Sequence, residues 1–174
     1  MRPYCFITIF FFCYIGGISQ KSIEKTLQWF NDGSVPYITV EELKNSSDIV
    51  LLDTRKKEEF EVSHLKNAQW AGFRKFNLEK VQQEIPDTET PIVVYCSIGV
   101  RSEKIGKKLQ KAGYSNVKNL YGGIFEWKNR GNTVVDSLNQ STEKVHAFSK
   151  SWGILLTKGN KVYTSKSKPL ENQH

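Results

Sequence analysis

Two short apolar runs, Ile49-Val50-Leu51-Leu52 and Ile92-Val93-Val94-Tyr95, restrict the fold of this chain more than any other feature. Each has the length of a strand and lacks the polar alternation of a half-exposed one, so each reads as a strand covered on both faces. Such strands sit in parallel sheets, where successive strands are joined by crossover helices. The intervening sequence offers those helices. Residues 55–61 are charged and read as helical. Residues 77–85 turn Leu78, Val81 and Ile85 inward before Pro86-Asp87 stops them. Residues 102–112 carry Ile105 and Leu109 at helical spacing, and Gly113 stands where a helix end favours a left-handed residue. Residues 68–71 and 117–120 suit further strands. Thr39, with Glu42 three residues on, is a capping box for a short helix. Residues 22–31 place Ile23, Leu27, Trp29 and Phe30 on a short amphipathic helix that Asp32-Gly33-Ser34 ends. This alternation predicts an α/β fold with a central, mostly parallel sheet and helices on both faces.

A chain of 174 residues with 39% apolar content has room for one such core. Its formal charge of +7 is dispersed, with lysines interleaved among acids, as in Glu41-Glu42 before Lys44. That pattern describes a solvated surface, and no nucleic-acid partner is expected.

The first nineteen residues differ from the rest. Arg2 is followed by a run from Phe6 to Ile15 that is apolar except for Thr8, then by Gly17 and Ser19. This reads as a signal peptide cut before Gln20, with an uncleaved anchor or buried helix as the alternative. The run is short for a membrane span of roughly 20 residues, and Phe12 before Cys13 does not suit a lipoprotein. The expectation is an exported protein, periplasmic or secreted, with no stable membrane insertion after cleavage. Cleavage removes Cys5 and Cys13, leaving Cys96 as a lone thiol. A lone thiol in an exported chain is a reactive group, an intermolecular partner or an inert core residue.

The neighbours of Cys96 favour reactivity. A strand, the cysteine, a glycine-containing loop and a helix follow one another over residues 92–112. That order puts Cys96 at the carboxyl end of a parallel strand, where open α/β folds place ligands. Backbone N–H groups of Ser97, Ile98, Gly99, Val100, Arg101 and Ser102 can curl round the sulfur, and the helix points its positive end there. Both effects stabilise a thiolate. Gly99 permits the turn, and Arg101 adds a permanent cation suited to an anionic substrate. Spacing alone does not name the reaction.

The residues Cys96-Ser97-Ile98-Gly99-Val100-Arg101-Ser102, Gly113-Tyr114, Gly122-Gly123 and Trp127 closely resemble the C-terminal half of rhodanese domains. Asp53-Thr54-Arg55, Glu59-Phe60 and His64-Leu65 resemble the other half, with Ser63 and Asn67 standing where the family has glycines. The resemblance covers roughly residues 37–131. It divides the chain into a signal peptide (1–19), an N-terminal helical extension (20–36), the rhodanese domain (37–131) and a C-terminal extension (132–174) with a packed helix and frayed tail. It implies the three-layer rhodanese-like fold and a sulfurtransferase. Cys96 would take the outer sulfur of a small anionic donor such as thiosulfate, hold it as a persulfide and pass it to a thiol or a protein acceptor. Neither metal nor cofactor is implied. Residues 97–102 would bind substrate, with Arg101 on the donor's sulfonate. Asp53, Arg55 and Glu59 would be structural supports, Arg55 pairing with Glu59 and Asp53 bonding backbone near the loop. The histidines His64, His146 and His174 are scattered, and Phe148 and Trp152 read as packing residues.

Two other functions compete. Rhodanese-fold phosphatases and arsenate reductases carry a loop longer by one residue, whereas Arg101 lies five positions after Cys96, a tighter cradle suited to one sulfur. A binding module, or a persulfide carrier without turnover, is the other.

Overall fold

In the computed structural model, residues 14–163 are described. The greater part of the expected signal segment and the expected frayed tail lie outside them. Five strands form one sheet in the order β1-β5-β4-β2-β3, every pair parallel. These are β1 (Tyr37–Ile38), β2 (Val50–Asp53), β3 (Gln69–Trp70), β4 (Ile92–Tyr95) and β5 (Val117–Leu120). The two apolar runs are β2 and β4, paired with Leu52 beside Val94 and Asp53 beside Tyr95.

Alternation along β4 divides the interior in two. Ile92 and Val94 face a core with Val81 and Ile85 from α4 (Leu78–Glu84) and its end, and with Ile105 and Leu109 from α5 (Val100–Lys111). Val93 and Tyr95 face a second core. That core holds Ile23 and Leu27 of α1 (Tyr14–Phe30), Val40 and Leu43 of α2 (Val40–Lys44), and Ile124 and Phe125 of α6 (Gly123–Asn129). Helices therefore cover both faces of a parallel sheet. Among the described residues, no helix is long and apolar enough to cross a membrane.

Local signals set the helix ends. The Thr39 hydroxyl accepts from Glu42 N–H at 3.2 Å while the Glu42 carboxylate accepts from Thr39 N–H at 2.8 Å, the expected capping box. Past α5, Gly113 takes φ +100°, its N–H donating to Gln110 O and that of Tyr114 to Leu109 O, a Schellman end. Ser63 is extended at φ −171°, which any residue tolerates, and Asn67 adopts the left-handed φ of +64° that asparagine accepts more readily than most.

The α1 helix runs through the position expected for signal cleavage, and its buried residues Ile23 and Leu27 lie beyond that position. Trp29 and Phe30, expected on the same amphipathic face, are exposed. Trp29 falls on the opposite side of the helix from Leu27, and Phe30, at the helix end, stands 6.2 Å from the ring of Trp152.

The C-terminal extension is woven into the domain. Strands β6 (Val134–Val135) and β7 (Ser141–Thr142) form an antiparallel pair, and β8 (Lys144–His146) runs parallel to β9 (Asn160–Val162). His64 and Val135 exchange two backbone hydrogen bonds of 2.8 and 2.9 Å. Val134, Val145, Ala147, Leu155 and Leu156 enter the same core as Tyr95. Its helix, α7 (Lys150–Gly153), is a single turn between β8 and β9.

Candidate active site

Cys96 directly follows β4 and is 2% exposed. The chain then turns through Gly99, at φ +114°, into α5. Gly99 N–H donates to Cys96 Sγ at 3.2 Å, so the loop does curl a backbone donor onto the sulfur. Burial pushes the Cys96 thiol up. The Arg101 charge, the Ser102 hydroxyl and N–H, and the Gly99 N–H outweigh it, and the net shift is downward. The Ser102 hydroxyl also donates to Asn119 Oδ1 at 2.8 Å.

Other contacts hold the loop from below. The Asn119 amide, fully buried on β5, donates to Gly99 O at 2.8 Å and to Glu103 Oε2 at 3.1 Å. Asn31, just past α1, donates to the same Gly99 carbonyl at 3.0 Å. The first N–H groups of α6 close the other side, Ile124 donating to Cys96 O and Phe125 to Ser97 O, each at 3.0 Å. This approach needs Gly123, where φ is +53° and a Cβ would stand 2.3 Å from Cys96 O. The Gly122-Gly123 pair therefore makes a turn, as its sequence suggests, and also seats a helix against the nucleophile's own carbonyl.

Arg101 and Glu59 form a bidentate pair, with N–O distances of 2.7 and 2.8 Å. Arg101 Nη2 donates a third hydrogen bond to Ser97 Oγ at 2.9 Å. Burial raises the Glu59 carboxyl, and the Arg101 hydrogen bonds and charge bring it below its ordinary value, so it is ionised. The expected Arg55–Glu59 pair does not form. Arg55 precedes α3 (Lys57–Val62), so the four-residue spacing does not put the two side chains on one helix face. Arg55 instead folds back on Asp53, donating from its backbone N–H at 2.9 Å and from Nε and Nη2 at 3.0 and 2.6 Å. Its Nη2 also donates to Ser63 O. Asp53 thus bonds the Arg55 backbone beside the site, while the charges pair as Asp53–Arg55 and Glu59–Arg101.

Among the residues expected to bind substrate, Ile98 is core, Ser97 and Ser102 are buried hydrogen-bonding groups, and Val100 is half-buried. Phe148, read as packing, is 42% exposed with its ring 5.0 Å from the Arg101 guanidinium carbon. Asn119 and Asn31 escaped the sequence reading, and Gly123 and Phe148 were given other roles there. The sequence around Asn119, Val117-Lys118-Asn119-Leu120, gives no sign of its role. Among the described residues no three potential ligand side chains group as a metal site would require.

The expected reactivity is measurable. The rate of iodoacetamide alkylation of Cys96 should reach half its plateau below a pH of about 8.5, the free cysteine value. A lowered pKa moves that midpoint to lower pH, and Arg101→Ala should move it back up. A midpoint above the free value would mean that burial outweighs the loop.

The sequence profile described as the Rhodanese-like domain matches residues 38–130. Thiosulfate sulfurtransferase GlpE of Coxiella burnetii is 31% identical over 96 residues, covering 54% of this chain and 85% of that protein. Adenylyltransferase and sulfurtransferase UBA4 of Candida albicans is 37% identical over 92 residues, 49% of this chain; the match spans only 20% of that longer protein. Among solved structures, the rhodanese-like domain of the Anabaena Alr3790 protein superposes with a TM-score of 0.54 at 19% identity, covering 80% of this chain and 97% of that one.

Proposed function

The chain belongs to the Rhodanese-like domain family, and on that premise we propose that it moves sulfane sulfur from thiosulfate to a thiophilic acceptor through a persulfide on Cys96. The observation that carries this reading is a thiol of lowered pKa at the end of β4, capped by Gly99 N–H and facing the fixed cation of Arg101. In the loading step the Cys96 thiolate attacks the outer sulfur of thiosulfate. A bond forms from Sγ to that sulfur, the sulfur–sulfur bond of the donor breaks, and sulfite leaves with the electron pair. The persulfide anion left on Cys96 meets the same N–H groups that stabilise the thiolate, in the manner of an oxyanion hole. Arg101 uses three of its five N–H groups on Glu59 and Ser97, which leaves two to orient an anionic donor.

Intact-mass analysis after incubation with thiosulfate and desalting tests the step. A gain of one sulfur atom, localised to the peptide containing Cys96, is expected. A chain that stays at its starting mass would overturn the persulfide.

A second reading, a carrier that does not turn over, draws support from the 2% exposure of Cys96. Thiocyanate released from a loaded chain in one equivalent, with no more under continuous supply of thiosulfate and cyanide, would favour it.

A further inference from the structure

A cavity of about 570 Å³ opens beside the Cys96 loop and reaches Arg101. Thiosulfate needs a fraction of this space, which falls in the roughly 300–1,000 Å³ range of sites for whole organic molecules. Its charge is one-sided. Lys56, Lys57, Arg74 and Lys75 line it against a single acid, Glu58. Lys56, Arg74 and Lys75 are exposed and form no ion pair among the described residues. Arg55 lies at the base with its charge met by Asp53.

The walls are aromatic. Trp70, Phe73 and Phe148 all line the cavity. Phe148 comes from the C-terminal extension, beyond the segment matched to the family. Its backbone adopts φ +64°, a strained region for a bulky side chain, and its N–H is held by the buried Nδ1 of His146 at 3.1 Å. In that conformation its ring lies 5.0 Å from the Arg101 guanidinium carbon, and both residues line the cavity. Cations to meet several negative charges, rings to meet a planar group and a shared guanidinium with the sulfur site converge on one kind of ligand.

We propose that this cavity binds the sulfur acceptor, an organic thiol that carries several negative charges and a planar group, with Phe148 as a specificity-determining wall. The inference rests on the persulfide reading. In the step it serves, the acceptor thiolate attacks the outer sulfur of the Cys96 persulfide. A new sulfur–sulfur bond forms on the acceptor, the bond to Sγ breaks, and its electron pair returns to Cys96 as thiolate. The acceptor leaves as its own persulfide, and no external oxidant or reductant enters.

The full chain, loaded with thiosulfate and desalted, is discharged in a single turnover to coenzyme A, to cysteamine or to cyanide. Coenzyme A is the polyanionic thiol with a planar base, and cysteamine is a cationic thiol lacking one. At equal thiolate concentration, coenzyme A should discharge the protein roughly tenfold faster than cysteamine at low salt. Added salt should narrow the gap. The double variant Arg74→Gln, Lys75→Gln should abolish most of it while leaving discharge to cyanide unchanged. Phe148→Ala should weaken the preference without removing it. Equal rates for the two thiols in the unaltered chain, or a preference that survives the double variant, would overturn this inference alone. A chain that takes up no sulfur, or releases none even to cyanide, would overturn the persulfide reading and this inference with it.

Discussion

Cys96→Ser is expected to lose sulfur transfer by a factor on the order of a thousand or more while keeping its fold. The hydroxyl nearly matches the thiol in shape but is a weak nucleophile toward sulfane sulfur and remains protonated at neutral pH. None of the surrounding devices can rescue it. The Arg101 cation and the Gly99 N–H lower the pKa of a thiol that is already within reach of neutrality, whereas an alcohol starts far outside that range. The fold should survive because Gly99 N–H, which now points at Sγ, finds an acceptor in the serine oxygen. Persulfide mass and thiocyanate release measure the loss, and circular dichroism checks the fold. Transfer near the unaltered level would remove Cys96 from the reaction.

Asp53→Ala should cost about 3–5 kcal/mol of stability, the usual effect of removing one partner from a buried ion pair. Both Asp53 and Arg55 are fully buried. The carboxylate receives the Arg55 backbone N–H and three guanidinium hydrogen bonds, so its removal strands a permanent cation in the interior with only Ser63 O as a close acceptor. Asp53→Asn keeps an oxygen for the Arg55 N–H and should lose less. Urea unfolding of the three proteins, compared at a common slope, reads the differences. A loss under about 1 kcal/mol for Asp53→Ala would mean that water or a neighbour takes over the carboxylate's place.

These two residues mark what was legible in the sequence. Strands β2 and β4 were, because an unbroken apolar run of strand length has few other places to go. The Thr39 and Gly113 caps were, since they follow from rules that span three or four residues. The Cys96 loop was legible for the same reason: strand, loop and helix are consecutive, so their geometry is local. The partner of Arg55 was not. Choosing between Asp53 and Glu59 needs the position at which α3 begins, and a shift of two residues reverses the answer. Asn31 and Asn119 reach one carbonyl, that of Gly99, from distant parts of the sequence, and no local pattern couples them. Gly123 looks like any turn glycine until the neighbouring carbonyl of Cys96 is placed. Phe148 was read by the usual fate of aromatic residues, and its strained backbone is visible only in three dimensions.

The C-terminal extension carries a consequence for how this molecule is divided. Val134, Val145, Ala147 and Leu156 are each fully buried in the core that also holds Ile23 and Tyr95, although none of the four belongs to residues 38–130. The stretch that identifies a relative and the stretch that folds as one piece are therefore different lengths of chain. A fragment trimmed to the shared segment would leave open the apolar surface that these four side chains cover, and its solubility would report the trimming and not the chemistry.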